Sequence, residues 1–448
     1  MELLNEIESA KNIVIVGLGL TGQSCVDFLY RSDRSLTVVD TRVNPPGLTA
    51  FQKRYQDVAL HAGELPEEII LAADLIVVSP GVDLRSPVFI AAQKAGLPII
   101  GDVEIFALYV DAPVIGITGS NGKSTVTTLV GDIARFAGLK VAVGGNIGEP
   151  VLTLLKEHAD VYVLELSSFQ LESVYSLACE VAVVLNLSMD HMDRYNSFED
   201  YVTAKQRIFS HARYCVVNAD DEVVMSLLSD ACQKICFSSN CSNDDIYGLE
   251  VVNGKTKVCY KGGNVLSLDT LRVPGKHNQV NAVAATAIAQ AMGWPIQAIE
   301  QALKEFKGLQ HRCELILEAD GRRWINDSKG TNVGATVAAL DGLDGPLVLI
   351  AGGDGKGADF SPLCQAMEGK VLQAVLIGQD AAKIAAAIEG KVVYQYAHDM
   401  DEAVALAAKS APAESVILLS PACASLDMYA NYQQRGDAFT QAVKEQCA

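Results

Sequence analysis

The chain has 448 residues with a formal net charge of -19; half of them are hydrophobic and 20% are charged. These are globular values for a chain long enough for two to four domains. The acidic balance excludes nucleic acid as the main partner, because backbone binding wants basic stripes, but a local nest of N–H groups still suffices for a nucleotide. No uncharged apolar run approaches the roughly 20 residues of a membrane span. The acidic N-terminus, MELLNEIESAKN, lacks a signal peptide's basic start and apolar middle, so a cytoplasmic protein is expected. The 11 cysteines are an odd number in a long chain, which argues against a disulfide scaffold. Cys232, Cys236 and Cys241 cluster without a nearby His or a zinc spacing, and read as thiols.

Short β-branched runs alternate with longer helical stretches, the pattern of parallel α/β domains. The first set of strands is NIVIVG (12–17), LTVVD (36–40) and LIVVS (75–79). PVIGITG (113–119), VYVLELS (161–167), VAVVLNLS (181–188) and YCVVNAD (214–220) form a second. A more irregular stretch, with antiparallel character, runs over about 236–272, before an alanine-rich packed helix after Asn278. RRWINDS (322–328), PLVLIAGG (346–353), AVLIG (374–378) and SVILLS (415–420) complete the series. Boundaries fall near 101–112 and 305–312, and no internal repeat is visible.

GLGLTG, Gly17 to Gly22, follows the first strand, and Asp40 ends the second, as a ribose-binding acid would. The pattern suits NAD. Its physics, a tight turn and a helix N-terminus aimed at phosphate, reports a nucleotide phosphate more reliably than a nicotinamide.

GITGSNGKST (116–125) is the strongest local signal: a strand enters a glycine loop, then Lys123, Ser124, Thr125 and a helix. The loop spanning Gly119, Ser120, Asn121 and Gly122 departs from G-x-x-x-x-G-K-[ST], since Ile117 stands five before Gly122. It can still cradle phosphates, with Lys123 on the β/γ oxygens and a hydroxyl toward Mg²⁺. Glu165 ends the next core strand, where P-loop proteins place a magnesium-directing acid. Asp190, His191 and Asp193 end another strand; beside the loop and Glu165, His191 is a candidate metal ligand, although Mg²⁺ prefers oxygen. Spacing alone makes Lys205, in YVTAKQRIF, a surface lysine. DSKGTN (327–332), GGDGKGADF (352–360) and SPACASLDMY (420–429) follow strands, where α/β proteins form their crevice.

Together, TGSNGKST, MDHMD, HNQVNAVAA (277–285), HRCE (311–314), DSKGTN and GGDGKGADF resemble the Mur ligases of peptidoglycan synthesis, from about residue 11 to 440. The pairing of GLGLTG with SPACASLDMY is most similar to the branch that adds D-glutamate. The resemblance implies an α/β fold of three domains: a Rossmann-like UDP-binding domain (1–101), a P-loop ATPase domain with a parallel sheet and a smaller β region (102–308), and a Rossmann-like amino-acid domain (309–448). It implies ATP and Mg²⁺ as cofactors and UDP-N-acetylmuramoyl-L-alanine and D-glutamate as substrates; a monomer is expected. Leu20, Thr21, Asp40, Thr41, Arg42, Ser79, Pro80 and Gly81 would surround the UDP group, with Asn146 and Gln170 on the rest of that substrate. Asn278, Asn281, Arg312 and Asp327 would contact ATP beside the phosphate loop. Ser124, Glu165, His191 and Lys205 would serve the metal, with Lys205 carbamylated, which displaces the surface-lysine reading. Lys356, Ser425, Leu426 and Tyr432 would receive D-glutamate, and Lys123, His191, Lys205 and Lys356 would carry catalysis. Gly330 and Tyr432 depart from the family, where Ala and Phe are common.

A nicotinamide-dependent dehydrogenase accounts for GLGLTG but not for the P-loop. A non-catalytic ATP switch leaves the later polar loops unused. Sister Mur ligases and folylpolyglutamate synthetase are the nearest alternatives within ligase chemistry; the absence of a D-N-P-R segment weighs against the diaminopimelate-adding relative.

Overall fold

The computed structural model describes residues 2–228, 232–241, 245–271, 273 and 275–447. Its strands form three sheets. The first contains β1 (Asn12–Val16), β2 (Ser35–Asp40), β3 (Ala59–Ala62), β4 (Leu75–Val78) and β5 (Ile99–Gly101), in the order β3-β2-β1-β4-β5. All its pairings are parallel.

The second sheet is built from β6 (Val114–Thr118), β7 (Val141–Gly145), β8 (Val161–Glu165), β9 (Val181–Val184), β10 (Tyr214–Asn218), β11 (Gln233–Phe237), β12 (Ile246–Val252), β13 (Lys255–Tyr260) and β14 (Gly263–Ser267). Their order is β14-β13-β12-β11-β10-β9-β6-β8-β7. Every residue of β6, β8 and β9 is buried, so these strands read as apolar runs up to the polar ends Thr118 and Glu165. The expected antiparallel stretch is real for β12–β13–β14, but β11 continues the parallel sheet and pairs in parallel with β12. Residues 242–244 and 272 of that stretch lie outside the described residues.

The third sheet holds β15 (Glu314–Ala319), β16 (Arg322–Asn326), β17 (Leu347–Gly352), β18 (Val371–Ile377), β19 (Val393–Tyr396) and β20 (Val416–Leu419), in the order β15-β16-β20-β17-β18-β19. Only β15, on the edge, runs antiparallel to its neighbour.

Two disulfides correct the reading of the cysteines as thiols. Cys215 of β10 is joined to Cys232, just before β11, and Cys241 is joined to Cys259 of β13. The neighbours β10 and β11 bring the first pair together and the turn after β11 brings Cys241 to β13, so residues 17 and 18 positions apart meet, which linear spacing does not reveal. Cys236 remains a buried thiol.

The apolar cores are not distributed one per sheet. Ile13, Ile15 and Leu75 of the first sheet share one continuous cluster with Val114, Tyr162 and Val184 of the second. Helix Asp102–Tyr109 fills the junction with Val103, Ile105 and Phe106. The opposite face of the second sheet packs on helices Lys123–Phe136 and Lys276–Ala291, whose buried alanines allow close approach. The clusters of the third sheet consist only of residues from Cys313 onward among the described residues. Among the described residues, no helix is long and apolar enough to cross a membrane.

Candidate active site

The loop after β6 turns at Gly122, whose φ of 84° is natural for glycine, and the helix beginning at Lys123 follows at once. A side chain at Gly122 would also meet Asn281 Oδ1 at 2.6 Å. Lys123 Nζ lies back over its own loop and donates to the carbonyls of Gly119 (2.8 Å) and Ser120 (2.9 Å). Burial lowers its pKa, opposed by Glu165 and Asp190. Ser120 Oγ faces the hydroxyl of Tyr201 at 2.9 Å, and Asn121 N donates to Asn186 Oδ1, so helix Phe198–Gln206 and the strand end after β9 together fix the loop.

Glu165 is buried at the end of β8. Its Oε2 accepts from Ser124 Oγ at 2.5 Å and its Oε1 from Asn146 Nδ2 at 2.6 Å. Arg312 Nη2 reaches the same Ser124 Oγ at 2.6 Å, bringing a residue just before β15 onto the phosphate loop. His191, in a left-handed conformation with φ of 58°, packs edge-on against Phe169 at 4.8 Å. Burial lowers its pKa to about 4, although Asp190 opposes this, so its ring is neutral at pH 7 and keeps a lone pair.

Lys205 is only 2% exposed, which corrects the surface-lysine reading from spacing. Helix Phe198–Gln206 turns it inward, where its Nζ donates to Gly119 O (2.9 Å) and Thr118 Oγ1 (3.1 Å). Burial, then Lys123, holds its pKa well below the usual lysine range.

A cavity of about 480 Å³ beside the loop is lined by Asn121, Gly122, Thr125, Asn278, Asn281, Arg312 and Asp327, with Phe237 among its walls. Asp327 accepts from Ser420 Oγ (2.7 Å) and from Cys313 N (3.2 Å); burial still pushes its pKa up to about 6. A second, smaller cavity gathers Ser120, Lys123, Glu165, His191, Lys205, Arg312 and Asn146.

A separate cavity of about 810 Å³ opens over the C-terminal ends of the first sheet's strands. Leu20, Thr21, Asp40, Thr41, Arg42, Ser79, Pro80 and Gly81 all line it, and Asn146 and Gln170 reach it from the second sheet. The glycine motif shapes its floor, since a Cβ on Gly22 would fall 1.8 Å from Gly17 O. Asp40 is fully engaged: Leu18 N (2.7 Å) and Arg42 Nη2 (2.7 Å) share one oxygen, and Arg42 N and Nε the other. Burial raises its pKa, yet these bonds outweigh it and hold the carboxyl at about 2. Asp40 therefore aims Arg42 instead of offering free oxygens to a ribose.

In the third sheet, the loop after β17 and the loop after β20 pair through Asp354 and Ala424, which brings Lys356 and Ser425 to one end of the sheet. Lys356 Nζ lies 3.8 Å from Asp190 Oδ1. Ser425 is buried, Leu426 is exposed, and Tyr432 has Lys329 Nζ 4.0 Å above its ring.

Lys329 escapes the sequence reading, although it sits in DSKGTN. It lines both cavities at the phosphate loop, and burial lowers its pKa to about 8. Asn332, which caps helix Val333–Asp341 and touches both Asn121 and Asp190, also escapes it.

A family model described as the Mur ligase middle domain matches residues 117–289. The Mur ligase MurD-like N-terminal domain matches 11–101, and the Mur ligase glutamate ligase domain matches 311–423. A protein of Salmonella paratyphi A named UDP-N-acetylmuramoylalanine--D-glutamate ligase is 49% identical over 438 residues, covering 97% of this chain and 98% of that protein. The chain belongs to the Mur ligase family. The protein of the same name from Escherichia coli K12 is 48% identical with the same coverage. Among solved structures, the Mur ligase fold is shared with a MurF ligase from Thermotoga maritima in complex with ADP, at a TM-score of 0.62 and 15% identity, covering 92% of this chain and 96% of that one. It is shared too with the UDP-N-acetylmuramate-alanine ligase MurC of the same organism, at a TM-score of 0.61 and 19% identity, covering 97% and 99%.

Among the described residues, no three His, Cys, Asp or Glu side chains gather into a self-sufficient metal cluster. Mg²⁺ usually takes one or two carboxylates and completes its octahedron with phosphate oxygens and water. Glu165 paired with Ser124 Oγ at 2.5 Å is a donor set of that kind.

Proposed function

We propose that the chain is an ATP-dependent ligase that joins D-glutamate to UDP-N-acetylmuramoyl-L-alanine in the cytoplasm, through an acyl phosphate. The proposed division is UDP substrate on 1–101, ATP on 102–308 and amino acid on 309–448. The observation carrying this reading is convergence: the phosphate loop, Glu165, Arg312 and Lys329 line one cavity, and Asn146 links that cavity to the one beneath GLGLTG. Two anions, the substrate carboxylate and the γ-phosphate, must meet at that junction, and the cations stand there. The curated relatives' name, at near full-length coverage, supports the choice of substrates.

Carboxylate oxygen attacks the γ-phosphorus and ADP departs. The amine of D-glutamate then adds to the acyl carbon, phosphate leaves, and the nitrogen loses its proton. Lys123 and Arg312 offset the charge that gathers in the first step. Mg²⁺, held by Ser124, Glu165, His191 and Lys205, would supply electrophilic polarisation of the transferring phosphoryl group when bound. Lys205 meets that role as a carbamate: its buried amine is readily neutral, adds to carbon dioxide and releases a proton, exchanging a cation for an anionic oxygen donor. Lys356, Ser425, Leu426 and Tyr432 receive D-glutamate, whose two carboxylates need donors when desolvated.

The test is initial rates of phosphate release with D-glutamate, L-glutamate, D-alanine, L-alanine and diaminopimelate at a fixed concentration of the UDP substrate. D-Glutamate should lead, and D-alanine should be very poor, because donors for the γ-carboxylate would go unpaired. Preference for L-alanine or diaminopimelate would overturn the D-glutamate assignment.

A further inference from the structure

Asp190 poses an electrostatic problem. It is a largely buried carboxylate after β9, one residue from His191 and in the same cavity as Lys123 and Glu165. A negative charge there repels both anionic reactants of the proposed ligation. Its contacts show what it gives in return, because the third sheet's loops reach across to it twice.

Asn332 begins helix Val333–Asp341, and its Oδ1 accepts from Ala335 N at 2.8 Å. That cap fixes the amide, leaving Nδ2 to donate to Asp190 Oδ2 at 3.0 Å and to Asn121 Oδ1 at 3.3 Å. Lys356 Nζ approaches the other oxygen, Oδ1, at 3.8 Å, while His191 N donates to it at 2.9 Å. Lys356 is itself aimed by a left-handed backbone with φ of 50° and by its N–H on Asp354 Oδ1 at 2.9 Å. No buried apolar cluster crosses this seam among the described residues, so polar contacts have a large share in setting how the third domain sits.

We infer that Asp190 is the central domain's catch for the third domain, a positioning residue that draws Lys356 and Asn332 to the phosphate loop. The inference rests on the proposed ligase reading for its substrates, and assigns Asp190 no contact with them. Arriving D-glutamate presents a competing carboxylate to Lys356, so the catch delivers that lysine close to where the amino acid needs it.

Steady-state kinetics of the full chain test this with Asp190→Ala, Asp190→Asn, Lys356→Met and the double variant Asp190→Asn/Lys356→Met. Asp190→Ala should raise KM for D-glutamate about tenfold or more, with KM for ATP changed less than about twofold. Asp190→Asn, which keeps the shape and one acceptor, should fall between and stands in should the alanine variant not fold. Adding Asp190→Asn to Lys356→Met should do little more, because the two act as one unit. Fully additive effects would overturn the inference, as would a raised Mg²⁺ requirement with an unchanged KM for D-glutamate. Small-angle X-ray scattering with a non-hydrolysable ATP analogue, Mg²⁺ and the UDP substrate gives an arm independent of the amino acid. The Asp190 variants should be more extended than the unsubstituted chain; identical curves would overturn the catch. Ligation of another amino acid would sink only the substrate reading and leave the scattering result to decide the catch.

Discussion

Arg435 Nη2 donates to the backbone carbonyl of Ser328 at 2.8 Å, from a side chain that is 1% exposed and, among the described residues, in no salt bridge with a carboxylate. Its Nε reaches Ser328 Oγ at 3.0 Å, and its Nη1 the carbonyls of Cys423 (3.0 Å) and Ala424 (3.3 Å). One guanidinium thus ties the loop carrying Asp327 and Lys329 to the loop carrying Ser425. Burial lowers its pKa to about 10, so it stays charged at neutral pH. Arg435→Met should take the guanidinium away from the buried carbonyls of Ser328 and Cys423, while Ala424 O keeps Asp354 N at 3.0 Å, and cost about 3 kcal/mol. Urea unfolding of the third domain checks this, and Arg435→Lys should recover only part of the loss because it lacks the fork.

Lys123→Ala should reduce ligation by several orders of magnitude. Its native hydrogen bonds are to its own loop, so the fold should survive, as far-UV circular dichroism can verify. Near-normal turnover in a folded variant would remove ATP from the proposed reaction.

Carbamylation of Lys205 should be directly visible. Active enzyme equilibrated with ¹³C-bicarbonate should show a carbamate carbon resonance that Lys205→Arg lacks. Turnover should fall in buffer stripped of carbon dioxide and recover when it is returned. A bare amine in fully active protein would refute the proposal.

Asp102 should shape the pH dependence of stability. It is buried at the start of helix Asp102–Tyr109, and burial pushes its pKa up to about 7, only partly offset by backbone N–H groups of that helix start. An unfolded aspartate titrates near about 3.9. Between these values the folded protein holds a proton that the unfolded chain has released. This contribution to stability is therefore fully present below about pH 4 and is lost as pH rises through about 7, with a limiting slope of about 1.4 kcal/mol per pH unit. Asp102→Asn should flatten the profile between pH 5 and 7 relative to the unsubstituted chain. An unchanged slope would show that Asp102 does not titrate differently on folding.

The sequence showed most plainly what depends on local pattern. The β-branched runs of β1, β6, β8, β9, β10 and β17 announce themselves because a strand covered on both faces is apolar throughout. The edge strands β3, ALHA, and β19, VYQY, are short and contain exposed positions, so they carry no such signal. At the site, the phosphate loop and the positions around the first cavity can be found from motif and family likeness. Lys329, Asn332 and Arg435 cannot be singled out in that way, because their contacts come from residues 11 to 211 positions distant. Asp190 is visible beside His191, but its grip on the third domain exists only once β9 and β17 are placed in space.

The apolar cluster shared by the first two sheets makes the familiar three-part division unequal. A chain cut at residue 101 would expose Ile13, Ile15 and Leu75 on one fragment and Val114, Tyr162 and Val184 on the other, so neither half would be a sound autonomous module. A cut in the connection before Cys313 would leave every described apolar cluster whole. In engineering terms, the chain has one good splice point. Exchange of the C-terminal part between related ligases should give soluble chimaeras, whereas exchange of the N-terminal part should require the central region to travel with it.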